Sequence, residues 1–332
     1  MTHAGDVYAS GRGLQLAVRI YGWCMLLAIP IYFFNNFLIF VLGWPGIHPI
    51  FFGSGADIRS WIQLGIYALG VVVAVVYVIK TSHTHLRAEA ASITAFNTYL
   101  VRAAFWAVFL IGIVDMSISF LRIEGILPYL VGNELNDQLG RVHFRGPYVH
   151  IPLLIVGFLL ALRTRTIGFH WLALLVILAE LLIVITRFIF SYEQAFMGDL
   201  VRFWYAALFL FASAYTLVEE GHVRVDVFYA GFTTKVKGFV NAVGTLFMGI
   251  TLCWTILFVG LGSKASIIYS PVANFEISQS GFGMQVKYLM AGFLAVFAIT
   301  MLIQFVSYLM EAVADLLEEP GHQEHEPSLS AG

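Results

Sequence analysis

Eight apolar stretches, each near or beyond the roughly 20 residues that a helix needs to cross ~30 Å of hydrocarbon, leave this chain little else to fold into. Their approximate limits are 14–43, 59–80, 99–121, 148–163, 169–191, 199–219, 236–262 and 284–312. Uninterrupted runs such as Trp171 to Ile185 do not alternate, so a transmembrane barrel is excluded. With 60% hydrophobic and only 11% charged residues, the chain lies far from soluble domains, where about 25% are charged. The expected fold is all-α: a polytopic helical membrane protein of about eight transmembrane helices with short interfacial segments. The first stretch is too long for a signal-peptide core. It ends in Phe37-Leu-Ile-Phe-Val-Leu-Gly-Trp44 without a small-residue cleavage site, so it is expected to remain in the mature protein. Only Arg163-Thr-Arg165-Thr-Ile-Gly168 separates the fourth stretch from the fifth, as a tight hairpin or one broken helix, and Gly168 favours the hairpin.

Charge placement gives a weak orientation. With the N-terminus in the cytoplasm, that side collects Arg12, Arg19, Lys80, Arg87, Arg102, Arg163, Arg165, Arg224, Lys235 and Lys237. The other side collects Arg59, Arg122, Arg141, Arg145, Arg187, Arg202, Lys264 and Lys287, a slight positive-inside bias. An even number of spans puts both termini on one face, and the acidic end from Asp315 onward reads as a solvated, disordered tail. On the outer face, residues 122–147 suit a segment at the interface, and residues 263–283, with Pro271, Asn274, Glu276 and Gln279, read as an irregular loop. A net charge of −2 offers no basic field for nucleic acid. Cys24 and Cys253 lie in apolar stretches as buried thiols rather than disulfide or zinc partners.

Ionisable groups inside spans are costly and carry a functional hypothesis by default, which singles out Asp115 and Glu180. Arg187 follows Glu180 by two turns, roughly 10 Å along the helix, too far for direct pairing. Three readings stay open for Glu180: helix glue or partner contact, proton or ion coupling, and tolerance at a lipid edge. No histidine pair is expected deep in the membrane as a bis-His haem site needs; His150 and His170 begin adjacent spans from opposite faces. GxSxG, Walker, GxGxxG and HExxH patterns do not occur, so an enzyme is not expected, no cofactor or metal is implied, and any transport must draw on an ion gradient. Pro30 and Gly244, Gly249 and Gly260 interrupt spans, but without the matched pairing of a self-contained carrier. Small residues at Ala291, Ala295 and Ala298, and at Ala103 and Ala107, favour helix association.

The most informative stretch runs from Arg187-Phe-Ile-Phe190 through Asp199-Leu-Val-Arg202 to Gly221-His222-Val-Arg224-Val-Asp226. Over about residues 168–317 it resembles the small membrane subunit of tripartite ATP-independent periplasmic (TRAP) transporters, the DctQ-like family. That family ends its first helix in Arg-aromatic-x-Phe, opens its second with acidic-x-x-Arg, and follows it with a Gly-His-x-x-x-Asp turn. Arg187, then Asp199 with Arg202, then Gly221, His222 and Asp226 match these positions. Phe196, Gly198 and Asp199 stand where the family usually has a Trp and a Glu pair, and Gln279-Ser-Gly-Phe-Gly283 replaces its proline-containing approach to the last helix.

The resemblance implies a chain in the bacterial inner membrane with both termini cytoplasmic. It also implies a large TRAP membrane subunit that carries substrate and sodium, and a periplasmic binding protein that captures a small organic acid. On this reading residues 1–165 are an N-terminal extension of about four helices, 166–317 the DctQ-like domain and 318–332 the tail. Glu180, Arg187, Asp199, Arg202, His222, Arg224 and Asp226 are the expected assembly or interface residues. The turn around His222 suits a segment at the membrane surface, although Val223, Val225 and Val227 also alternate with period two. His85-Leu-Arg87-Ala-Glu89 after the second span parallels His222-Val-Arg224-Val-Asp226 after the sixth, a hint of internal duplication. The alternative reading is a self-sufficient transporter or channel with Asp115 and Glu180 in a polar path.

Overall fold

The computed structural model describes residues 3–53, 55–165, 169–218, 229, 231–277 and 283–321. Among these, every regular element is helical. Eight helices are long and apolar enough to cross a membrane. They are α1 (His3–Phe40), α2 (Ile58–Lys80), α3 (Leu86–Ile123), α4 (Val142–Arg163), α5 (Phe169–Phe190), α6 (Ala195–Val218), α7 (Thr234–Leu261) and α8 (Lys287–Leu316). Each apolar stretch of the sequence thus becomes one helix, and residues 163 and 169 end and begin separate helices.

Some helices outrun their apolar stretch because the polar residues at their ends find internal partners. The apolar reading starts the third span at residue 99, yet α3 begins at Leu86 and carries Glu89 and Asn97 into buried positions. Asn97 donates to the Thr300 carbonyl at 2.9 Å and to Gln304 at 3.1 Å. Glu89 near the start and Arg122 at the end of α3 also complement the helix dipole.

Two compact units are made from the described residues within Met1–Thr94, Val223–Thr251 and Phe305–Gly332, and within Ala95–His222 and Leu252–Gln304. In the first, Arg19 is fully buried. Its Nε donates to Glu89, and its two terminal nitrogens donate to the carbonyl and hydroxyl of Thr81 at 2.9 and 2.8 Å. Trp23 adds a 2.5 Å bond to Glu89. Arg87 bonds Asp315 at 2.6 Å, so both charges of the His85–Glu89 stretch are used in packing. Its supposed counterpart at 222–226 lies outside the described residues.

In the second unit a cluster around Phe203, Trp204, Phe211 and Phe293 forms the apolar core. Helix α5 joins it through Leu172, Leu175, Val176, Ala179 and Ile183, a stripe of helical period. Where α3 meets α4, Gly157 fits against Ala107: an added Cβ would lie 2.7 Å from its backbone nitrogen. Three short helices, Leu127–Val131, Asn133–Leu139 and Val142–Arg145, fill the interfacial segment before the body of α4. Gly132, at φ +83, makes the break between the first two. Then comes a single π-helical turn, Gly146–His150, in which the Ile151 N–H reaches back to the Gly146 carbonyl. Pro152 has no N–H to offer the next carbonyl of an α-helical ladder, and a wider turn accommodates that loss.

Candidate functional site

The π turn in α4 carries His150 into the protein, beside Asp115 of α3. Asp115 is wholly enclosed. One carboxylate oxygen accepts from Arg145 Nη1 at 2.8 Å and faces His150 Nε2 at 3.1 Å. The other accepts the backbone N–H of Gln285 at 2.8 Å. On its far side His150 Nδ1 meets the Tyr288 hydroxyl at 2.8 Å. Arg145 is itself fully buried, donating also to Ser119 at 3.2 Å and to the Leu139 carbonyl. A buried carboxylate is tolerable only when paired and hydrogen-bonded. Asp115 has both kinds of partner.

Asp199, near the start of α6, is also buried. It accepts from Arg202 at 2.7 Å and from the backbone N–H of Met284 at 3.0 Å. The two carboxylates therefore hold consecutive peptide N–H groups of the segment leading into α8. Gln285 anchors the same segment through its side-chain amide, which donates to the Gly140 carbonyl at 2.6 Å.

The expected assembly residues fall into three groups. Asp199 is buried and Arg202 beside it largely exposed. Glu180 and Arg187 are exposed on α5, where Arg187 lies 3.4 Å from Glu193 rather than reaching Glu180. His222, Arg224 and Asp226 lie outside the described residues. The reading of Asp115 as a costly intramembrane charge leads to the cluster, whereas Arg145 and His150 correct the sequence reading. Arg145 is not a loop cation and His150 is not a peripheral span-starter, because both are drawn inward against Asp115, Arg145 as its counter-charge and His150 as a hydrogen-bond neighbour. The usable signal was that a carboxylate within a span needs a cation, and Arg145 and His150 flank the next turn of chain.

Helix α5 is the least enclosed span. Only 11% of its apolar window is buried within the chain, against 44% for α6. Ile177, Leu181, Val184 and Phe188 are exposed, and Glu180 sits among them.

Outside the spans, Tyr192 in the α5–α6 connection donates to Glu124 at 2.7 Å. Desolvation and then the adjacent carboxylate push its phenol up to about 12.

These features define a multi-pass helical membrane protein in which the buried acids Asp115 and Asp199 fix helices and α5 presents an exposed apolar face. Residues 174–314, from α5 into α8, match the family of tripartite ATP-independent periplasmic transporters, DctQ component. The match covers less than half of the chain and includes Arg187, Asp199 and Arg202, three of the residues that carry the resemblance in the sequence. No curated protein and no solved structure matches the chain.

Proposed function

We propose that this chain is the scaffold subunit of a TRAP-type secondary transporter of the bacterial inner membrane, with both termini in the cytoplasm. It braces a larger membrane subunit, which carries a small organic acid with sodium, and contributes to the docking surface for a periplasmic binding protein. The observation that carries this reading, beyond the family match, is Glu180 on the exposed face of α5. A carboxylate is expensive against lipid, and among the described residues no side chain pairs with it. A donor or cation from the larger subunit is the partner that removes the cost. Asp115 supports the same reading, because an acid bonded on both oxygens inside a closed cluster is poorly suited to an open polar path. Spans one to four, on this reading, enlarge the scaffold.

Purification of the tagged full-length chain from its native membrane in mild detergent tests the proposal. A larger polytopic protein recovered in stoichiometric amount is expected. Recovery of this chain alone in several detergents, with solute flux once it is placed in liposomes, would overturn it in favour of a self-sufficient carrier.

A further inference from the structure

A narrow apolar groove runs along α8 in the second unit. It has a volume of about 360 Å³, is walled by side chains such as Ala104, Leu154, Phe203 and Val296, and extends from Tyr288 to Thr300. Twelve helical residues correspond to about 18 Å. An extended hydrocarbon chain suits an apolar space of this volume along such a length. Gly292 forms part of the wall, and an added Cβ there would meet only Val272, at 3.8 Å.

A second cavity of about 720 Å³ has polar walls that include Arg141, His143, Ser270, Asn274 and Gln285, and its wall residue Phe275 packs against Tyr288 at the end of the groove. The helix Tyr269–Ala273 borders both spaces, through Ser270 on the polar side and Val272 on the apolar one. Phe275 and Tyr288 meet between them with ring centroids 5.1 Å apart. Phe275 holds φ +48, a backbone state that bulky residues rarely adopt. Two groups on the polar side have no side-chain partner among the described residues. Glu276 is neutralised by Lys287 at 2.5 Å, but Arg141 has no acid opposite it among the described residues. The side-chain oxygen of Gln285 is buried without a donor.

We propose that the two cavities form one site for a bilayer phospholipid. One acyl chain occupies the groove along α8, the phosphate faces Arg141, and a headgroup or glycerol hydroxyl reaches the Gln285 oxygen. An apolar groove with an exposed guanidinium in the neighbouring polar cavity matches the chemistry of an anionic phospholipid better than that of a wholly apolar guest.

The test uses the purified full-length chain, native mass spectrometry with added dioleoylphosphatidylglycerol or dioleoylglycerol, and a phosphatidylglycerol carrying a photoreactive group at mid-chain. One phospholipid per chain is expected to survive detergent exchange, with cross-links on groove residues such as Leu154 and Val296. Gly292→Leu, which fills the slot, should lower retention at least tenfold while thermal unfolding stays cooperative. Arg141→Gln should lower retention of the phospholipid several-fold and leave dioleoylglycerol unchanged. Cross-links confined to other surfaces, or a folded Gly292→Leu protein that retains lipid like the parent, would overturn the proposal. Equal retention of both lipids would overturn its phosphate arm. Should Gly292→Leu fail to fold, the cross-link map on the parent protein decides alone.

Discussion

Asp115 and Asp199, on different helices, accept the backbone N–H groups of adjacent residues, Gln285 at 2.8 Å and Met284 at 3.0 Å. The segment before α8 is thereby gripped by α3 and α6 together. Backbone donors in a membrane protein must be satisfied internally, and here two carboxylates do so. Each also takes an arginine as counter-charge.

The two acids differ in consequence. Asp115→Ala leaves Arg145 buried without its ion-pair partner, and loss of one member of a buried pair costs about 3–5 kcal/mol. Asp199→Ala strips one cap-like acceptor and an exposed arginine contact, and should cost about 1 kcal/mol. Reversible unfolding in mixed micelles of the two variants is expected to keep that order. Combining Asp115→Ala with Arg145→Met should recover part of the loss; additive effects in the double variant would contradict the pairing.

Glu180→Leu should leave the isolated chain as stable as the parent or slightly more so, because it removes a charge from an exposed apolar face. Recovery of the larger subunit in the tagged purification should fall about tenfold, or 1.4 kcal/mol. Undiminished recovery would remove Glu180 from the contact.

The connection between α5 and α6 has its own alkaline signature. Tyr192 is raised to about 12 from an ordinary phenol value of 10.0, so the folded state favours the protonated tyrosine. Its contribution is complete below pH 10 and disappears as pH rises through about 12. An ultraviolet titration should lose one late-ionising phenol in Tyr192→Phe, and Glu124→Gln should bring that phenol down. An unchanged titration in Glu124→Gln would refute the assignment.

A shortened chain beginning near Arg163 lacks Asp115, Arg145 and His150. Tyr288 and the Gln285 N–H then lose the partners recorded for them. Assembly with the larger subunit and transport by the reconstituted complex are expected to fall sharply. Full-rate transport by the short chain would show that the first four helices are dispensable.

Much of the architecture was legible because hydrocarbon imposes a length on every span and because runs such as Trp171 to Ile185 leave only one secondary structure available. Asp115 and Glu180 were legible as anomalies for the same reason. Their outcomes differ, since Asp115 is enclosed and Glu180 exposed, and that distinction depends on contacts far away in sequence. Arg145 bonds Asp115 across thirty positions, and a local reading of charge assigns such an arginine to a loop. Arg19 repeats the lesson. Counted for orientation as a cytoplasmic cation, it is instead buried against Glu89, seventy positions on. The reach of α3 to Leu86 was hidden because Asn97 looks like a boundary until Thr300 and Gln304 are seen to receive it.

The π turn of α4 has a further bearing on how sequence change is tolerated. The wide turn absorbs one residue more than an α-helical turn, so His150 can face Asp115 within it while the helix beyond keeps Gly157 against Ala107. Deleting a single residue between Gly146 and His150 would not shorten a loop. It would close the wide turn into an ordinary one and take His150 from its place beside Asp115, while the rest of α4 could keep its glycine seam toward α3. Length in this short stretch is therefore tied to the placement of one side chain, and a deletion there is expected to cost the Asp115 cluster before it costs the packing of the helix.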